Sequence, residues 1–165
     1  MSRESDFEKL FEMIKDIDLC MLTTIDESGD LHSRPMSLNS DVDEEGNLWF
    51  FTSSNSHKAG EIERNPNVNV SFIDTDDQRY VSISGSAQLV NDRDKVKQLW
   101  KPVLKAWFPD GPDQPDVALL KVKMTKAEYW DGPSSMISQA VSFVSAIFTG
   151  KQVELGENKK LDRVG

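Results

Sequence analysis

The chain has 165 residues, 28 Asp and Glu against 19 Lys and Arg, and 38% hydrophobic residues. That size and composition suit one globular domain with a real core. A formal charge of −9 argues against nucleic acid as a partner, because such binding runs on clustered Lys and Arg, yet a local basic patch can still hold a small anion.

The elements follow in chain order. Phe7, Leu10, Phe11, Ile14 and Ile17 recur at helical spacing and predict a first helix with one apolar face. Leu19 to Ile25 and Leu31 to Leu38, joined by an Asp- and Gly-containing turn, read as a β-hairpin. Leu48 to Ser53 is a third strand, aromatic and β-prone. A hydroxyl-rich turn, Ser53 to Ser56, leads into a short helix from Lys58 to Arg64, which Asn65-Pro66 ends. Val68, Val70 and Phe72 alternate with polar residues in a fourth strand, and Val81 and Ile83 do so in a fifth, where Gly85 marks a bulge or a close backbone approach.

Asp92 caps a third helix whose apolar face is read as Val96, Leu99, Trp100, Val103 and Trp107, with a kink or break at Pro102. Val117 to Trp130 is the sixth strand, and Asp131-Gly-Pro133 stops it. Residues 133–150 read as an amphipathic C-terminal helix, and 151–165 as a polar tail without fixed structure from about Glu154. Six strands with hairpin-length turns favour a mainly β, α+β fold: an antiparallel barrel with short flanking helices, since closure removes exposed edges.

Cys20 is the single cysteine, so no intrachain disulfide forms; it lies in an apolar run and reads as a packing residue in a reducing compartment. The N-terminus shows no apolar signal region, and Met136 to Phe148 is too short and too polar to span a bilayer. These features predict a cytoplasmic protein with neither membrane nor nucleic acid as partner.

The sequence lacks a phosphate loop, a dinucleotide glycine fingerprint and a Gly-x-Ser-x-Gly elbow. Two histidines and one cysteine cannot make a four-ligand zinc site by themselves. Three segments remain. Thr52-Ser-Ser-Asn-Ser-His-Lys58 offers hydroxyls and a lysine at a helix start, where free N–H groups and the helix dipole favour an anion; the plainer alternative is a helix cap with a solvated lysine. Arg34, followed by Pro35 and Met36, interrupts the second strand and is either the second cation of a phosphate clamp or an outward-facing surface arginine. Trp130 either stacks on a flat ligand or closes one barrel end; Trp49, Trp100 and Trp107 read as core or dimer contacts.

Arg34-Pro-Met36, Leu48-Trp-Phe-Phe-Thr-Ser53, Ser56-His-Lys58, Tyr80-Val-Ser-Ile-Ser-Gly85 and Glu128-Tyr-Trp-Asp131 occur in an order that resembles the FMN-binding split barrels of the pyridoxamine 5'-phosphate oxidase-like group, general stress protein 26 in particular. The resemblance covers residues 5–132 and implies a six-stranded split β-barrel, FMN (or FAD) as cofactor, and a homodimer with flavin at the interface. It implies that Arg34, Pro35 and Met36 line the flavin. Thr52, Ser53, His57 and Lys58 then lie toward its ribityl chain and phosphate, and Trp130 and Tyr80 approach from the partner subunit.

Two departures stand out. The oxidases carry Arg before the phosphate lysine, where this chain has His57, and they carry a C-terminal Arg-x-His element that has no counterpart after Trp130. Efficient oxidation of pyridoxamine phosphate is therefore not expected. The remaining readings are a flavin-dependent oxidoreductase using a small-molecule electron donor, with no catalytic residue assigned, and a non-catalytic flavin-binding or stress-sensing protein. Haem on the same barrel, with His32 or His57 as axial ligand, is a further alternative.

Overall fold

The computed structural model describes residues 3–38, 42–132 and 156–163. Its elements are α1 (Arg3–Ile14), β1 (Leu19–Ile25), β2 (Leu31–Ser37), β3 (Asn47–Ser53), α2 (His57–Arg64), β4 (Asn67–Asp74), β5 (Arg79–Val90), α3 (Arg93–Leu99), β6 (Val117–Asp131) and β7 (Glu157–Asp162). One antiparallel sheet runs β2-β1-β4-β5-β6-β3, with β7 also on β6. The end strands β2 and β3 come into contact, so the sheet curls into a barrel whose last seam carries no ladder.

Alternation decides what fills it. Cys20 and Leu22 on β1, Val68, Val70 and Phe72 on β4, and Val81 and Ile83 on β5 point inward, and Leu10, Met13 and Ile14 of α1 join them in one core. β3 is buried on both faces. Leu48 and Phe50 enter the barrel, while Trp49 and Phe51 face a smaller second core with Val96, Phe108, Val117 and Leu119. Strand β6 is the spine: its first half pairs with β3 and its second half, Lys126 to Asp131, with β7 along the same edge. The ladder between β5 and β6 shifts register at Ser84/Gly85, and a Cβ on Gly85 would lie 2.3 Å from the Lys123 carbonyl oxygen. The expected bulge and close approach are thus one feature, which only glycine fits.

Two expectations change. The strands number seven rather than six, because Glu157–Asp162, read as part of a structureless polar tail, pairs with β6. Five of its six residues are polar, so the sequence shows no strand period; the free edge of β6 supplies the order, and Leu161 supplies the one buried side chain. The third helix also stops at Leu99. A 3-10 turn, Pro102–Ala106, follows it and turns Val103 and Trp107 out to solvent, at 65% and 64% exposure, because the break at Pro102 loses the helical register. The amphipathic helix assigned to 133–150 lies outside the described residues.

Candidate functional site

Arg34 is the first surprise. In the β1–β2 ladder it stands opposite Leu22, which is fully buried, so both side chains share the inner face. It is therefore not an outward-facing surface arginine. Its two terminal guanidinium nitrogens donate to Thr24 Oγ1 at 2.7 Å and to Glu61 Oε2 at 2.9 Å. Thr24 Oγ1 in turn donates to Glu61 Oε2 at 2.5 Å. His32 Nδ1 lies 3.7 Å from the other Glu61 oxygen. Burial pushes the Glu61 carboxyl up, but the Thr24 hydroxyl and the Arg34 charge outweigh it and hold it below the ordinary carboxylate value.

Helix α2 closes the mouth of the barrel against β1 and β5 and brings Lys58 to this cluster. Lys58 is half-buried. Burial lowers its ammonium below the ordinary lysine value, repulsion from Arg34 adds to that, and Glu61 opposes it. The two cations are thus neighbours on one side of the barrel. No ion pair joins Lys58 to any other described residue. The residue at the N-cap of α2, Ser56, makes no side-chain capping bond; its hydroxyl lies 3.4 Å from Thr52 Oγ1 instead. The first turn of α2 therefore presents N–H groups without a side-chain cap, next to a lysine.

The other sequence-derived candidates divide. Thr52 is buried, and Ser53 Oγ donates to Asp116 Oδ2 at 2.9 Å and so braces the turn before α2. His57 is exposed at the first position of α2. Pro35 faces outward on β2, opposite Met21. The Met36 side chain was expected to line a ligand, but it packs into the main core, and its carbonyl accepts from Cys20 Sγ at 3.4 Å.

Tyr80 and Trp130 stand directly opposite each other on β5 and β6, 40% and 36% exposed, with Ile73 beside Tyr80 at 56%. Val81 and Tyr129 next to them point inward, so this aromatic pair is on the outer face. Arg34 and Lys58 sit on the inner side at the mouth, so one chain by itself does not join the two groups. A separate concavity of about 400 Å³ opens on the outer face between Thr23, Leu31, Asn69, Ser84 and Lys126, and it includes none of the candidates.

Sequence reasoning missed Thr24 and Glu61. Glu61 had a signal, because it follows Lys58 by three residues and therefore shares its helix face. Thr24 had none; it is one threonine in an ordinary strand.

The pyridoxamine 5'-phosphate oxidase-like family model matches residues 5–154. The chain belongs to that family. Among its relatives, a Neurospora crassa protein named bli-3 is 31% identical over 150 residues, which are 86% of this chain and 72% of that protein. General stress protein 26 of Bacillus subtilis is 29% identical over 126 residues, 74% of this chain and 86% of that one. A solved structure described as the general stress FMN/FAD binding protein of Xanthomonas citri is 30% identical, with a TM-score of 0.68 over 78% of this chain and 90% of that chain. The seven-stranded antiparallel sheet with its three helices is the split barrel of this family. No helix among the described residues is long and apolar enough to cross a membrane.

Proposed function

We propose that the protein binds FMN and acts as a flavin-dependent oxidoreductase on a small-molecule substrate, as a homodimer in the cytoplasm. The observation that carries this reading is the mouth of the barrel, where a half-buried lysine without an ion pair among the described residues stands beside an uncapped helix start and a second cation. Those features suit a phosphate dianion, because N–H groups, helix dipole and ammonium act together on one anion. The exposed Tyr80–Trp130 pair suits the flat ring of a flavin. It lies on the opposite face of the sheet, which supports a site completed by a second copy of the chain.

Bound flavin would supply the redox chemistry, and the chain's residues would bind and orient it. Lys58 and the α2 amides would hold the phosphate. Glu61 and Thr24 already bond to Arg34 and to each other, while His32 Nδ1 stands 3.7 Å from Glu61, beyond hydrogen-bond reach. That saturation favours a second reading, in which the protein holds or senses flavin without fast turnover.

An absorbance spectrum and a mass measurement of the released cofactor test the assignment. Flavin bands and the mass of FMN are expected; a dominant Soret band would replace flavin with haem. Lys58→Met is expected to weaken FMN binding about tenfold or more while leaving riboflavin binding unchanged, since it removes a charge-assisted contact to phosphate alone. Equal affinities of wild type and variant for FMN would remove the phosphate site. Anaerobic reduction by NADH or NADPH, compared with free FMN, separates the oxidoreductase from the carrier.

A further inference from the structure

We propose that the concavity on the outer face of the sheet is a second ligand site, one that takes a small carboxylic acid with an apolar body. It goes beyond the flavin reading and does not rest on it. The groove measures about 400 Å³. Its floor is one cross-strand row, in which Thr23 on β1, Asn69 on β4, Ser84 on β5 and Lys126 on β6 stand side by side. The register shift beside Ser84 leaves Thr125 without an opposite number, and Gly85 adds no side chain, so the ladder opens there. Tyr80 and Trp130 lie four residues further along β5 and β6, about 13 Å away at the rise of a strand, and line no part of the groove.

Hydrogen bonds within the belt turn its hydroxyls into donors. Asn69 Nδ2 donates to Ser82 Oγ at 2.9 Å and to Ser84 Oγ at 3.2 Å, while its Oδ1 accepts from Ser71 Oγ at 2.9 Å. The Ser82 and Ser84 oxygens are therefore accepting, and each keeps its own proton for another partner. Thr23 Oγ1 and Ser33 Oγ, 2.6 Å apart, use one proton between them and leave a second. Lys126 is exposed and makes no ion pair among the described residues, although Asp162 stands opposite it on β7. Hydroxyl protons and an ammonium along one row suit an anion with two acceptor oxygens. Ile25 and Leu31, paired across β1 and β2, give the groove an apolar end. A carboxylate toward Lys126 and Ser84, with its apolar body on Ile25 and Leu31, uses both ends.

The test is titration of full-length protein with benzoate, phenylacetate and octanoate, followed by backbone amide NMR shifts, with benzamide as the uncharged match for benzoate. At least one acid is expected to bind with Kd on the order of 1 mM, the level reached by ligands of about ten heavy atoms. Benzamide is expected to bind about tenfold more weakly than benzoate, and Lys126→Met to weaken the bound acid about tenfold. Asn69→Asp, whose carboxylate takes the serine protons, is expected to abolish binding. Lys58→Met, at the barrel mouth, is expected to leave it unchanged.

No saturable binding of any of the three acids overturns the proposal and leaves the phosphate reading of the mouth standing. Benzamide binding as tightly as benzoate overturns the carboxylate class. Binding that Lys58→Met weakens and Lys126→Met does not puts the acid at the mouth and overturns the groove. Should Asn69→Asp fail to fold, Ser84→Ala decides: a loss of about threefold supports the proposal, and no change overturns it.

Discussion

Truncating Leu161 to alanine tests whether the C-terminal strand belongs to the cooperative fold. Leu161 is 4% exposed, joins the main core and stands opposite Ala127 on β6, whose small side chain leaves the space that Leu161 fills. A buried Leu→Ala change costs roughly 2–5 kcal/mol, the spread reflecting how far the site collapses. β7 is an edge strand that can shift inward, so the lower part of that range applies, about 2–3 kcal/mol. At roughly 2–4 °C per kcal/mol for a chain of this size, Tm falls by about 4–12 °C.

Urea unfolding followed by tryptophan fluorescence and by far-UV circular dichroism is a suitable assay, because Trp130 pairs directly with Asn158 of β7. Both signals are expected to shift together. The neighbour Lys160 is exposed, and Lys160→Ala should stay within about 0.5 kcal/mol of wild type. A Leu161→Ala cost no larger than that control would show β7 to be an ornament on an independently stable barrel.

Two further outcomes follow from the interior. Asp43 is the hub of the turn before β3: Oδ1 accepts from the Glu45 and Asn47 N–H groups, and Oδ2 from Asn47 Nδ2 at 3.0 Å and Trp49 Nε1 at 2.8 Å. Burial pushes its carboxyl up, but these bonds outweigh it and hold it below the ordinary value. A depressed folded value means stability that is present above the unfolded carboxyl's range and lost as pH falls through the folded one. Asp43→Asn places an amide against two donors. It should cost about 1–2 kcal/mol at neutral pH and flatten the acid limb of the stability profile; an unchanged acid limb would refute the hub. Cys20 is buried, and burial pushes its thiol up to about 12. Native protein at pH 8 should therefore resist a thiol reagent that labels the urea-unfolded chain at once, and rapid native labelling would show the barrel to open.

What the sequence revealed, and what it hid, has a physical pattern. β4 and β5 were legible because Val68, Val70, Phe72, Val81 and Ile83 carry a period of two, and the core does face that side. Gly85 was legible because glycine inside such a pattern marks a bulge or a close backbone approach, and the ladder has both there. The polar β7 was hidden because its order comes from a vacant edge of β6, a tertiary fact with no local signature. At the site, the types Arg34 and Lys58 announced an anion. Their difference did not show, because Arg34's commitments lie on β1 and α2, 10 and 27 residues away. Met36 shares the inner face with Arg34, as residues two apart on a strand must, but it lies opposite Cys20, where the core and not the barrel mouth takes it up.

The placement of the candidates on two faces of one sheet leads to a last test. Lys58 and the α2 start lie at the mouth, while Tyr80 and Trp130 lie on the outer face of β5 and β6. If one flavin uses both groups, they come from different copies. A Lys58→Met chain and a Trp130→Ala chain would then each bind FMN weakly as homodimers. Mixed dimers would carry one site with both defects and one with neither. Random exchange gives half mixed dimers, so about a quarter of all sites should regain wild-type affinity. Titration of the exchanged mixture with FMN should show that tight fraction. Its absence, with dimer exchange confirmed by mass, would mean that the two groups never serve one ligand.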